Sequence, residues 1–157
     1  MRNSILLSTG LILISTMVFM SCRTAKNVTK PNPETTVQKD SISTIHVGSD
    51  LSLPDTNDAF SILNVALKGD ILEIEVSYGG GCREHDFDLQ FNGLYKKSMP
   101  AQAAIWLVHE NHGDACRAMI QKKLYYNISS IRNPSGKPGE LHISLAGWND
   151  RIVYRWE

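Results

Sequence analysis

From Ala59 onward, apolar and polar side chains alternate with a period of two, the signature of strands with one wet face. Leu72, Ile74, Val76 and Tyr78 alternate with Glu73, Glu75 and Ser77. Upstream, Leu63, Val65 and Leu67 repeat the pattern, and Gly69-Asp70 between the two runs marks a hairpin turn. Gly79-Gly80-Gly81 breaks the second run. His85, Phe87, Leu89 and Phe91 then alternate with Asp86, Asp88 and Gln90 up to a turn at Asn92-Gly93. A strand over 102–109 carries Ile105, Leu107 and His109 on one face and Trp106 and Val108 on the other, so both of its faces are expected to be covered. Residues 116–128 are ambiguous: Ala118 to Leu124 suit a helix by propensity, whereas Leu124, Tyr126 and Ile128 keep the strand period. After the turn-rich stretch Asn133 to Gly139, a closing hairpin follows, with Ile152, Tyr154 and Trp156 in step. About seven short strands in ~100 residues predict an all-β fold, an antiparallel sandwich or small barrel over 59–157.

The amino-terminal pattern differs. Uncharged, mostly apolar residues run from Ile5 to Met20 behind a single basic residue, Arg2. A membrane span needs roughly 20 apolar residues, so this run is short for an anchor and fits the core of a cleaved signal. It ends Phe19-Met20-Ser21-Cys22, a small residue directly before cysteine. This resembles the lipobox of bacterial lipoproteins. The resemblance implies a signal peptide over 1–21, acylation of the Cys22 thiol by palmitate-type chains, and a domain tethered to the membrane, with the outer membrane as the expected site. More than one acyl chain makes such a tether stable, at about 0.8 kcal/mol per buried CH₂.

Residues 22–58 are rich in Thr, Ser, Lys, Asn and Pro and poor in aromatics. Such a composition buries too little apolar surface to offset ordering entropy, so a flexible spacer is expected, with a reach of roughly 30 Å. The ~135 residues after the leader suffice for one domain plus this tail.

Charge narrows the partners. The chain has 16 basic and 16 acidic residues, and removing the leader takes away only Arg2. A near-neutral chain without basic runs is not an electrostatic nucleic-acid binder. The expected partners are the membrane, through the lipid, and a protein or small ligand of unknown kind.

With Cys22 assigned to lipid, Cys82 and Cys116 form an even pair in an exported chain, which predicts a disulfide. They sit in the two segments that carry the candidate chemistry, Cys82-Arg83-Glu84-His85-Asp86 and His109-Glu110-Asn111-His112-Gly113-Asp114-Ala115-Cys116. Bridged, the cysteines leave His85 and His109 as hydrogen-bonded imidazoles at strand ends and Asp114 in a turn, and no cofactor is needed. The alternative is a zinc or copper site built from His85, His109, His112 and Asp114, with or without the thiolates. A third reading is a Cys/His or metal-dependent hydrolase, but no nucleophile elbow, zinc-protease helix, phosphate loop or dinucleotide fingerprint is present. The Gly-Gly-Cys-x-x-His-x-Phe segment followed by His-x4-Asp-x-Cys is similar to small exported lipoprotein domains of the Bacteroidota, a resemblance that implies no activity. The sequence therefore predicts a lipid-anchored envelope protein whose β domain is a non-catalytic binding or structural module.

Overall fold

The computed structural model of the chain describes residues 41–132 and 139–157. The expected signal peptide, Cys22 and most of the expected spacer lie outside them. Among the described residues, no helix is long and apolar enough to cross a membrane.

The described residues form nine strands: β1 (Ile42–Thr44), β2 (His46–Val47), β3 (Phe60–Lys68), β4 (Ile71–Gly80), β5 (Asp86–Lys96), β6 (Ala101–Glu110), β7 (Ala118–Asn127), β8 (Gly139–Leu145) and β9 (Ile152–Trp156). One sheet has the order β1-β7-β4-β3 and the other β2-β5-β6-β8-β9. The expected all-β sandwich is thus observed, and it is not a closed barrel. It departs from a purely antiparallel pattern: β1 pairs with β7, β2 with β5 and β6 with β8 in parallel. Each of these pairs is separated by a long stretch of chain, as parallel pairing requires.

The period-two rows fill the space between the sheets. Leu72, Ile74 and Val76 of β4 face Leu89 and Phe91 of β5 and Ile105 and Leu107 of β6 across one core, all within 2% of complete burial. The ambiguous stretch is a strand. β7 pairs with β4 along its whole length and buries Leu124 and Tyr126. That pairing overrides the helical propensity of Ala118–Leu124. Asn92-Gly93 is a bulge inside β5, not the expected turn. The register shifts between Phe91 and Tyr95, and Gly93 takes φ 76°. Likewise β4 runs on through Gly80 instead of ending at Gly79. Trp106 is 5% exposed on the face opposite Ile105 and donates its indole N–H to Gln90, so β6 is covered on both sides at that point.

Of the stretch expected to be spacer, 22–58, the described part, residues 41–58, contributes to the sandwich. Ile42 to Val47 run as an extended segment that changes sheets at Ile45, which is 3% exposed and the one buried residue of the six. The Ile45 N–H donates to Asn127 at the end of β7, and the Gly48 N–H donates to Phe91 in β5. Asn57 and Asp58 then run beside the end of β6. The Asn57 amide donates to the Leu107 carbonyl at 2.9 Å and accepts the His109 N–H at 2.7 Å. β8 pairs only with Ala101–Ile105, so this side chain satisfies backbone that no strand reaches.

A polar latch holds the end of the sandwich where β4 begins. The Tyr154 hydroxyl of β9 donates to Asp70 at 2.7 Å and accepts from Arg132 Nε at 2.7 Å, and Arg132 also pairs with Asp70. Asp70 is in the β3–β4 turn and Tyr154 is fully buried in the other sheet, so one phenol links the two. Replacing Tyr154 by Phe should lower stability by about 1–2 kcal/mol, the cost of leaving such groups unpaired. Urea denaturation checks this, and a smaller midpoint with an unchanged slope is expected.

Candidate functional site

The two segments singled out by sequence meet at the opposite end of β4. Cys82 and Cys116 are disulfide-bonded, with Cα atoms 5.9 Å apart and a sequence separation of 34. The bridge joins the exit of β4 to the entry of β7, strands already paired through Gly80 and Ala118. It thus closes a geometry that the sheet has set.

His85 and His109 are the two buried polar residues among those described, 5% and 4% exposed. His85 immediately precedes β5, and His109 lies in β6 opposite Phe87. Period two turns both rings inward with Phe87 and Leu107. His85 Nδ1 lies 2.8 Å from His109 Nε2, and His85 Nε2 lies 3.2 Å from Asp114 Oδ2. His109 Nδ1 lies 3.2 Å from the Asp58 carbonyl oxygen. The result is a continuous row: Asp58, His109, His85, Asp114. Phe87 stacks on His109 with ring centroids 4.3 Å apart, and Tyr78 packs on His85 at 4.6 Å.

Asp114 anchors the row to the disulfide. Its Oδ2 accepts the Cys82 and Arg83 N–H groups at 2.9 and 3.0 Å, and its Oδ1 accepts the Cys116 N–H at 2.9 Å. Neither its side chain nor that of His85 has accessible surface. The backbone N–H bonds from Cys116, Cys82 and Arg83, with His85 beside them, hold the carboxyl far below the usual carboxylate range. Burial pushes His109 below its ordinary 6.5; the Asp58 carbonyl opposes that shift, and the charge of His85 adds to it.

Gly80 makes room for this arrangement. It faces inward from β4, and a Cβ placed on it would lie 2.6 Å from His85 Nε2 and 3.1 Å from Asp114 Oδ2. The imidazole occupies the volume that a side chain on β4 would fill. Gly81, with φ 113°, then turns the chain toward Cys82.

His112 stands apart from the row. It is exposed, its Nε2 is 2.7 Å from Asp86, and that pairing raises its pKa. Three of the four candidate ligands therefore come together, and the fourth does not join them. The sulfurs and the Asp114 carboxylate lie within 4.8 Å of one another, but the sulfurs are bonded to each other. The histidine nitrogens point along the row, not toward a common centre. Asn57 and Asp58 complete the site and were not singled out by sequence. They carry no motif, and only their position beside β6 gives them a role.

Two clefts flank His85. One, of about 260 Å³, lies between β1, β5 and β7 and is lined by Ser43, Asp86, Lys122 and Tyr125. The other, of about 410 Å³, is lined by Tyr78, Arg83, Glu84 and Lys122. β1 pairs only with Tyr125–Asn127, so the first seven residues of β7, Ala118–Leu124, have no strand on that side among the described residues.

No family model matches the chain, and no curated protein matches it. The fold is similar to that of a NigD-like immunity protein from Bacteroides caccae, with a TM-score of 0.50, 13% identity, and 66% of this chain aligned to 51% of the other. The chain thus spans about half the length of that neighbour. A toxin-related protein from Parabacteroides distasonis gives a TM-score of 0.45 at 14% identity, covering 72% of this chain and 60% of the other. A protein of unknown function from Bacteroides vulgatus gives 0.42 at 12% identity, covering 73% and 56%. At these identities the likeness concerns the fold alone.

Gly80→Ala should destabilise the domain, because its Cβ meets a ring locked on every side. Gly79→Ala, where nothing lies within 4 Å, should be neutral or slightly stabilising. Thermal melts of the two variants check this, and equal midpoints would remove the close-approach role of Gly80. Acidification has a defined sign at His109. The unfolded ring takes up a proton near 6.5 and the folded ring resists it. This contribution is therefore present above 6.5 and lost as pH falls through the lower folded value. His112 acts in the opposite sense, so the measurement belongs in a His112→Asn background, where Asn tolerates the φ of 50°.

Proposed function

We propose that the chain is a lipid-anchored envelope protein whose β domain is a non-catalytic binding module, with the clefts beside His85 as its recognition surface. One observation carries the reading: the residues best suited to chemistry are used in holding the loops together. The candidate nucleophiles are joined as a disulfide. The candidate bases face each other, a carbonyl and a saturated carboxylate in a row without accessible surface at its Asp114 end. A general base needs a lone pair aimed at substrate, and this packing aims none outward.

The clefts differ in kind. Arg83, Glu84, Asp86, Lys122 and Tyr125 line them with charges of both signs and an aromatic ring, a composition that recognises a polar partner by hydrogen bonds more than by apolar burial. The fold likeness to a NigD-like immunity protein adds a protein partner to the ligands worth testing. The anchor itself rests on the Phe19-Met20-Ser21-Cys22 segment.

Detergent phase partitioning of the full chain tests the anchor. The protein should enter the detergent phase, and Cys22→Ser should leave it unacylated by mass spectrometry. Recognition is tested by charge reversal at Lys122. Lys122→Glu should abolish crosslinking to the partner of the native protein, whereas Val153→Glu on β9, far along the other sheet, should leave it intact. Equal crosslinking by both variants would move the binding surface elsewhere.

A further inference from the structure

We propose that His85 and His109 together hold one proton more than two neutral imidazoles carry, so that the row is a single buried positive charge seated on Asp114 and acts as a pH-dependent latch on the disulfide loop.

The inference comes from counting hydrogens. The row has three contacts, at 3.2, 2.8 and 3.2 Å, from the Asp58 carbonyl through both rings to Asp114. Each contact between electronegative atoms needs one hydrogen. Both ends are acceptors: a carbonyl oxygen, and a carboxylate that three backbone N–H groups hold ionised. The three hydrogens must therefore sit on the four ring nitrogens. Two neutral imidazoles supply two. With two, one contact sets lone pair against lone pair inside the protein, an unsatisfied buried arrangement. The third proton removes the conflict and gives Asp114 its counter-charge.

The geometry also places the proton. His85 touches the carboxylate, so its ring is the imidazolium, donating through Nε2 to Asp114 and through Nδ1 to His109. His109 accepts at Nε2 and donates through Nδ1 to Asp58. A proton placed on Asp114 instead would keep the same count, but three N–H donors already point at that carboxylate. The other groups around His85 do not supply the charge. Tyr78 from β4 presents a ring face. Lys122 from β7 lines both clefts and has the same sign as the proposed cation. On the side of its own loop, Asp86 pairs with His112 and Arg83 donates to the His112 carbonyl, while Glu84 lines the larger cleft.

The consequence is a latch with two limits. Loss of the shared proton on raising the pH leaves one contact without a hydrogen. Gain of a second proton at low pH makes His109 a donor toward His85, which is a donor already. Only the singly charged pair satisfies every contact, and it holds the Cys82–His85 segment that borders both clefts.

Nitrogen NMR of the histidine-labelled full chain in detergent micelles tests this directly. At neutral pH, His85 should show two protonated nitrogens, and His109 should show one, at Nδ1. One proton on each ring would overturn the proposal. In Asp114→Ala the counter-charge and its contact with His85 are both gone, and two neutral imidazoles satisfy the two contacts that remain, so both rings should be neutral; an imidazolium persisting at His85 would overturn the assignment to Asp114. Should that variant not fold, the native spectrum still decides. The latch has its own readout. Exchange of the Cys82 and Arg83 amide hydrogens, corrected for intrinsic rates, should speed up by about ten-fold once the pair loses its proton. Unchanged protection across that titration would overturn the latch.

Discussion

A carboxylate cut off from water must find its hydrogen bonds inside the protein, and the disulfide end of this sandwich is organised around that requirement at Asp114. Its oxygens accept backbone N–H groups from Cys82, Arg83 and Cys116 and meet the His85 ring. The β4–β5 connection and the β6–β7 connection are thereby held by one side chain as well as by the disulfide. The two ties do different work. The covalent bridge restricts the unfolded chain, by roughly 3–4 kcal/mol for a loop of this length on the entropy account. The carboxylate acts only in the folded state, where it fixes the direction of the loop and hence the position of His85.

The same logic operates at the far end of β4. There Asp70 is satisfied by Tyr154 and Arg132, and the burial of the phenol in the opposite sheet turns a turn-capping acid into a link between sheets. Each end of the sandwich is thus closed by an aspartate in a connection that holds a ring from another part of the chain, His85 of the β4–β5 connection in one case and Tyr154 of the opposite sheet in the other. Apolar burial supplies most of the driving force between the sheets. These polar ties have little to add in net energy and more in geometry, since a slip of one residue in β4 would break both.

Much of this was legible in the sequence, and the gaps have physical causes. The alternation of Leu72, Ile74, Val76 and Tyr78 located β4 and its buried face, because period two leaves no other way to sort those residues. The even cysteine pair located the disulfide. The pairing of His85 with His109 was not legible, since it depends on β5 and β6 being neighbours in a particular register. His112 looked equivalent to His109 in sequence, yet it falls beyond β6 and turns outward to Asp86. Composition misled over Ile42–Val47, within the expected spacer. Averaged across 22–58, polarity hides these six residues, which form two short strands around the single buried Ile45. A strand that pairs over two or three residues in each sheet has no long hydrophobic run to announce it. Gly80 was read as a breaker, whereas it is a strand residue without a side chain because another residue's ring needs the space.

The crossing of the chain from β1 to β2 also explains why the clefts exist. β1 covers β7 only at Tyr125–Asn127, and β2 covers β5 only at Gln90 and Phe91. The segment thus seals the sandwich over its middle and leaves β7 before Tyr125 and β5 before Gln90 without a strand on that side among the described residues. An open strand edge invites pairing with other chains, and an inward-pointing lysine is one of the ways proteins discourage it. Lys122 has that position. It lies on the core-facing side of β7 with Ile120 and Leu124, half-buried where the apolar row ends, and it lines both clefts. A strand laid along β7 would have to bury that ammonium or displace it, whereas a polar group entering a cleft from outside can meet it directly. The same lysine therefore argues against indiscriminate edge pairing and for selective recognition. It also places a positive charge across the cleft from the loop that the histidine row holds.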